Sequence, residues 1–259
     1  MVRTDYNILV TNDDGIDSPG IHSLVRSMSK IGHVIVAAPD RQQSAVSHAM
    51  SVDNPLRVTQ FHRNGEAFGF GISGTPSDCV KLAISALMDS KPDLVVSGIN
   101  HGQNTSVNVL YSGTVAAACE GMLLGIPSIA VSIDSYDYSF DCHTAADITL
   151  MIAIRFLEMK TKGEVLLNVN VPALTKEKIK GIKITHLSDS VWNDKYEKRT
   201  DPLGRHYYWF SGDFIDVDPE LNSDIHAVQS GYVSVTPIHY DLTNYDYIKS
   251  LRPIEELGY

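Results

Sequence analysis

The chain has 259 residues, 43% of them hydrophobic and 20% charged, with a formal net charge of −10. This length suits one large α/β domain with some elaboration or two small domains, and the acidic balance excludes a broad polynucleotide or anionic-membrane surface, which needs clustered Lys and Arg. No apolar run is long enough to span a bilayer and the N-terminus leads into a strand instead of a signal-peptide core, so a cytoplasmic protein with no membrane partner is expected.

In chain order, the first element is an apolar, β-branched run from Tyr6 to Thr11, patterned like a strand buried on both faces. It stops at Asn12, Asp13, Asp14 and Gly15, and Ser18 with Pro19 then opens a helix as cap and first helical residue. Asp13 and Asp14 therefore fall on a short loop between strand and helix, the place where open parallel sheets bind ligands. Residues 33–38 read as a second buried strand, followed by a polar loop, Arg41 to His48, that contains Ser44. Residues 56–61 and 66–72 form a hairpin around Asn64-Gly65. Thr75, Pro76 and Asp78 start a helix over residues 76–88 by capping, fixed φ and favourable charge in the first turn. Residues 93–97 form a short parallel-type strand with Gly98 to Asn104 at its tip.

A helix over residues 115–124 follows Tyr111-Ser112-Gly113-Thr114, and its start offers free backbone N–H groups to an anion. A strand at 127–133, an amphipathic helix at 143–160 and a strand at 165–171 complete an alternation of the kind found in a doubly wound, mostly parallel sheet. Beyond Pro172 the pattern turns extended: 181–187, then 191–210 interrupted by a turn at Asp201-Pro202-Leu203-Gly204, then 231–238, with a terminal helix at 245–257. Trp192, Tyr196, Tyr207, Tyr208 and Trp209 make the middle piece a projecting aromatic β-hairpin that calls for a packing partner, a second subunit for instance. The three cysteines, Cys79, Cys119 and Cys142, share no close spacing, so neither a disulfide framework nor a Cys-based zinc site is indicated. Cys79 and Cys119 fall within helical patterns and read as small buried hydrophobes.

Asp13, Asp14, Ser44 and Asn100 each follow a different buried strand and should gather at one sheet edge. Taken singly, each has an ordinary structural reading as a turn former or cap. As a set of carboxylate, hydroxyl and amide oxygens they suit a hard divalent cation, Mg²⁺ or Mn²⁺, better than zinc. Such an ion with open positions can activate water for phosphoester hydrolysis, and Ser112, Gly113 and Thr114 with Asn104 could hold the phosphate. His48 and His101 also fall in these loops as candidates for proton transfer. A nicotinamide-dependent dehydrogenase fits poorly, because Asn12-Asp13-Asp14-Gly15 puts two negative charges where a pyrophosphate would sit. A receiver-type phospho-acceptor module lacks its acceptor, since Asn100 holds that sort of position and Asp93 lies at the wrong end of its strand. A metal-dependent binding protein without turnover would use the same ligands.

Five stretches carry a family resemblance: Ile8 to Ile16; Ala38-Pro39-Asp40 with Gln43-Ser44; Gly74 to Lys81; Val96 to Asn104; and Tyr111 to Ala117. In this order they resemble the SurE family of stationary-phase survival proteins, metal-dependent nucleoside 5'-monophosphate phosphatases, across essentially the whole chain. The resemblance implies a single SurE-like domain over 1–259, with a Rossmann-like core over 1–172 and a β-hairpin plus oligomerisation elements over 173–259. It implies Asp13, Asp14, Ser44 and Asn100 as ligands of one divalent cation, and release of phosphate from nucleoside monophosphates, with 3'-nucleotidase and short-polyphosphate activity in some members. It also implies a homodimer or homotetramer with C-terminal segments exchanged or packed between subunits. The tail after about Thr243 matches the family least. Asp13 is the candidate catalytic residue, to orient or deprotonate the attacking water, with a direct nucleophilic role left open.

Overall fold

The computed structural model describes residues 5–160, 165–215 and 222–257, so the first four residues of the expected N-terminal lead lie outside the described residues. The elements run β1 (Tyr6–Thr11), α1 (Pro19–Met28), β2 (Gly32–Pro39), β3 (Val58–Arg63), β4 (Glu66–Ile72), α2 (Pro76–Leu82), β5 (Leu94–His101) and α3 (Gly113–Leu123). They continue with β6 (Ser128–Ile133), α4 (His143–Glu158), β7 (Leu166–Val171), β8 (Ile182–Ile184), β9 (Val191–Thr200), β10 (His206–Ile215), α5 (Asp224–Gln229), β11 (Val233–Ile238) and α6 (Tyr245–Leu251).

Nine strands form one sheet in the order β3-β4-β2-β1-β5-β6-β7-β11-β8. β1 pairs in parallel with β2 on one side and β5 on the other, and β6 and β7 extend the parallel run. Only β3 against β4 and β11 against β7 run antiparallel within it. The expected doubly wound, mostly parallel α/β fold is present, and β9 pairs with β10 as the separate C-terminal hairpin.

Period-two alternation explains the two helical layers. Ile8 and Val10 on one face of β1 pack in a core with Ile21, Leu24 and Met28 of α1, and with Ala145 and Phe156 of α4. Leu9, pointing the other way, packs with Cys79 and Val80 of α2 and Ala117 of α3. Because β2 lies on one flank of β1 and β5 on the other, the sheet reverses direction between β1 and β5, which opens a crevice at their carboxyl ends. Gly20 lets α1 approach that crevice, since a Cβ there would stand 2.1 Å from the Ile99 carbonyl oxygen.

Some element boundaries differ from the sequence reading. β5 extends past Ser97 to His101, with its register against β6 shifting between Ser97 and Asn100. Asn100 and His101 therefore belong to the strand end and not to a loop. Gly98, at φ 138° and with a Cβ position 2.3 Å from the Val131 carbonyl oxygen, carries the shift. The helix expected over 76–88 ends at Leu82 and continues as a π-helical turn, Ala83–Leu87. The strand expected over 181–187 shrinks to Ile182–Ile184; Thr185 beyond it still donates its amide to the Val235 carbonyl and turns its hydroxyl to Ser234 and Thr236. α5 was not expected; its six residues are too few to show a helical period. The terminal helix gives way after Leu251 to a 3-10 turn, Arg252–Glu256, that contains Pro253.

Candidate active site

The loop after β1 is folded by Asn12, whose Oδ1 accepts from the Gly15 amide and whose Nδ2 donates to the Gly15 carbonyl and the Ser18 hydroxyl. Ser18 in turn caps α1 at Ile21. This tight turn points Asp13 and Asp14 into a cleft of about 400 Å³ at the switch point, whose walls include Ser44, Asn100, Asn104 and Ser112.

Asp13 is buried, and its carboxylate accepts from both the hydroxyl and the backbone amide of Thr114 at the start of α3. Its carbonyl accepts from the Gln43 amide at 2.7 Å, which ties the loop bearing Ser44 to the same residue. Burial raises the Asp13 carboxyl to about 6 against the Thr114 hydrogen bonds that hold it down, and the neighbouring Asp14 charge adds to the rise. Asp14 Oδ2 accepts from the His101 amide at 3.3 Å and stands 3.6 Å from His101 Nδ1, while its Oδ1 accepts from the Tyr138 hydroxyl at 3.1 Å. The His101 ring stacks on Tyr138 with centroids 4.5 Å apart, and its Nε2 lies 3.7 Å from Cys142 Sγ. Asp14, and after it Cys142, raise the His101 imidazole to about 9.

Ser44 is exposed at the mouth of the cleft on a loop with left-handed residues at Ala45 and Ser47. That loop is fastened at several points. Ser47 donates to the carbonyls of Tyr111 and Leu110, Ser51 N donates to Asp78, and His48 Nε2 lies 2.9 Å from Glu120 Oε2. Glu120, almost wholly buried, also takes Lys81 Nζ at 2.6 Å. His48 thus faces this ion pair and not the cleft. Asn100 donates its amide to the Gly102 carbonyl at 2.7 Å, which leaves its Oδ1 as the free acceptor end.

The residues read as phosphate holders sit close by in different roles. Ser112 caps α3 through the Val115 amide, and Gly113 is pressed against Asp13, where a Cβ would meet the Asp13 Cβ at 2.9 Å. Thr114 backs Asp13 from behind the wall. Asn104 is bound into a buried amide network with Ser132, Asn168 and Asn170. Sequence reasoning missed Gln42, Asn108, Tyr111, Tyr136, Tyr138 and Trp192 as walls of the cleft. The tip of β6 adjoins that of β5, so strand order could have suggested Tyr136 and Tyr138; nothing local marked Trp192. No Lys or Arg lines the cleft, and among the described residues no group of three or more His, Cys, Asp or Glu side chains is arranged to hold a metal. The donor set is oxygen-rich: two carboxylates, a hydroxyl and a free amide oxygen facing one cleft, which fits a hard divalent cation and not zinc.

The chain matches the family model described as survival protein SurE over residues 8–194. It is similar to the 5'-nucleotidase SurE of Flavobacterium psychrophilum, 44% identical over 246 residues that cover 95% of this chain and 96% of that one. The 5'-nucleotidase SurE of Natranaerobius thermophilus is 47% identical over 251 residues, covering 94% of this chain and 96% of the relative. The crystal structure of the SurE protein from Aquifex aeolicus superposes with a TM-score of 0.84 at 39% identity, over 96% of this chain and 99% of that one.

Proposed function

Because the chain belongs to the SurE family, we infer that it is a 5'-nucleotidase that releases inorganic phosphate from nucleoside 5'-monophosphates. The observation that carries the reading is the charge of the cleft: two carboxylates face it and no Lys or Arg does. A phosphate dianion is repelled from such a place unless a cation stands between, so the same residues that would reject a bare phosphate would accept one with a divalent ion. Asp13, Asp14, Ser44 and Asn100 would hold that ion, Mg²⁺ or Mn²⁺. When bound, it supplies Lewis-acid polarisation of the phosphoryl group and a lowered pKa for water.

The chain's own residues then divide the remaining work. Thr114 fixes both oxygens of Asp13, so that this carboxylate is aimed before substrate arrives. Aimed in this way, Asp13 would orient the attacking water or take its proton. Tyr138 and the His101 amide hold Asp14 in place. Ser112 and the α3 N-terminus lie beside the carboxylates, where the phosphate would be received.

Further parts of the reading follow the family: activity on 3'-nucleotides and short polyphosphate, assembly as a homodimer or homotetramer, and a cytoplasmic location. The 1–172 core and 173–259 assembly elements act as one unit. Among the described residues no helix is long and apolar enough to cross a membrane.

The test is phosphate release from 5'- and 3'-nucleoside monophosphates and polyphosphate by metal-stripped protein, with Mg²⁺, Mn²⁺ or Zn²⁺ added back. Mg²⁺ or Mn²⁺ should restore turnover, and Asp13→Asn should lower kcat by about a hundredfold or more. Normal metal-dependent turnover in Asp13→Asn or Asn100→Ala would refute the site. Tight cation binding with no turnover on any substrate would favour a binding module.

A further inference from the structure

The polar stretch from Arg41 to Ser44 is a partition. Gln42 and Ser44 line the acidic cleft, while Arg41 and Gln43 line a second hollow, of about 460 Å³, on its other side. Ser51, Asn54, Arg57 and Ser73 extend the polar lining of that hollow. The charges are sorted by the partition. Among the described residues the cleft has two carboxylates and no Lys or Arg, and the hollow behind it has two arginines and no Asp or Glu.

In a chain of net charge −10 an arginine readily finds a carboxylate, as Arg155, Arg199 and Arg205 do with Glu158, Glu197 and Asp201. Among the described residues the guanidinium groups of Arg41 and Arg57 have no such partner. Asp78 adjoins the hollow but is buried, where its oxygens accept the amides of Ser51 and Thr75. The backbone of Arg57 is fixed by Ser73: its amide donates to Ser73 Oγ at 2.9 Å and its carbonyl accepts from the Ser73 amide at 3.0 Å. Ser73 Oγ, having accepted that amide, keeps its own proton to donate. Two guanidinium forks and a hydroxyl donor around a polar hollow suit a tetrahedral oxyanion of the phosphate class.

We infer that the hollow between Arg41 and Arg57 is a second phosphate site, separate from the cleft, which takes inorganic phosphate or the phosphate end of a nucleotide. It bears on the cleft through the partition. The Gln43 amide donates to the Asp13 carbonyl at 2.7 Å, and a Cβ on Gly15 of the acidic loop would stand 3.3 Å from the Arg41 carbonyl carbon. A dianion on the two arginines offsets positive charge that otherwise opposes a cation across a single loop. Phosphate and the cation therefore strengthen each other's binding, equally whichever binds first. The phosphate site stands without the 5'-nucleotidase reading; its coupling to a cation rests on that reading.

The probe is inorganic phosphate, titrated by calorimetry at constant ionic strength into metal-stripped protein, in which the bare carboxylates repel anions from the cleft. Saturable binding at about 0.1–10 mM is expected, and Arg41→Gln and Arg57→Gln should each weaken it about tenfold. Lys178→Gln removes the same charge from an exposed position elsewhere and should leave the affinity unchanged. No saturation by the wild-type protein, or equal weakening in Lys178→Gln, overturns the site. Adenosine 5'-monophosphate bound more tightly than phosphate, and lost with Arg57→Gln, makes a nucleotide the occupant; any other result with it makes the occupant free phosphate. The coupling is read from Mn²⁺ affinity by electron paramagnetic resonance. Phosphate should raise that affinity about fivefold more in the wild-type protein than in Arg57→Gln, which shares any phosphate contact with the ion in the cleft, and an equal gain overturns the coupling. If metal-loaded protein releases no phosphate from any nucleotide while metal-stripped protein still binds phosphate through Arg57, the 5'-nucleotidase reading fails alone.

Discussion

Thr114 gives Asp13 both of its side-chain partners, so one small residue sets the aim of the carboxylate on which the proposed chemistry turns. Thr114→Val keeps the shape of a fully buried side chain and removes only the hydroxyl donor. The expected outcome is a loss of about 10- to 100-fold in kcat/KM with little change in the far-UV spectrum, since the partners that orient a ligating carboxylate are worth about that much. A second residue-scale effect concerns pH. Hydrogen bonding to Cys119, and after it to Glu120, raises His48 from 6.5 to about 9, while His48 and Lys81 hold Glu120 below its ordinary 4.5. A raised histidine stabilises the fold fully below pH 6.5 and loses that contribution as pH climbs through about 9. A lowered carboxylate stabilises it above 4.5 and loses the effect on acidification through its folded value. The contribution of this pair to Tm should therefore be flat between these limits and fall as the buffer is taken from pH 6.5 to 9, and His48→Gln should reduce the alkaline decline to the part that His101, raised likewise to about 9, contributes. An equal decline in the variant would show that the fastening of the Ser44 loop at Glu120 contributes nothing to it.

At the scale of elements, the packing of α1 on β5 connects the two acidic residues to Asn100. Gly20 lies where a Cβ would press into the Ile99 carbonyl oxygen, one residue before Asn100. Gly20→Ala should force the helix and strand apart at a cost of about 1–3 kcal/mol, visible in chemical denaturation, and should weaken metal-dependent turnover by displacing Asn100 from Asp14. Retained stability and retained turnover together would mean that the crevice is softer than its packing suggests. The strand-to-helix joints were legible because each is written locally: Ser18-Pro19, Thr75-Pro76 and Ser112-Gly113 cap α1, α2 and α3 as their residue types require. The convergence of Asp13, Ser44 and Asn100 was legible because buried strands of one sheet deliver their tips to one edge. The aromatic walls were not. Tyr138 comes from an irregular loop and Trp192 from a strand with no buried face, so neither carries a period that ties it to the site. The extension of β5 through Asn100 was also hidden, because a register shift around Gly98 has no signature in hydrophobic pattern.

At the scale of the whole molecule, the described residues of the last third leave many large aromatic and aliphatic side chains exposed. A two-stranded ribbon is at best marginally stable alone, yet both faces of β9 and β10 bear large rings. Trp192 and Tyr196 both contact Phe210 on one face, and by the strand register Tyr207 and Trp209 lie on the other, opposite Arg199 and Glu197. Trp192 docks on its own subunit through Asn108, which leaves the Tyr207 and Trp209 face to a neighbour. The C-terminal segment is just as open, with Leu242 86% and Leu257 71% exposed. Burial of such patches is the ordinary reason for their persistence. The protein should therefore run as a species of two or four times 28.5 kDa in size-exclusion chromatography with light scattering. Trp209→Glu places a second carboxylate across from Glu197 and should shift the distribution toward the monomer. Since Trp209 lies on the face away from Trp192, which lines the cleft, the dissociated protein should retain metal-dependent phosphate release while losing thermal stability. A Trp209→Glu protein of unchanged mass would move the subunit contact away from the hairpin and leave the C-terminal segment as its remaining place.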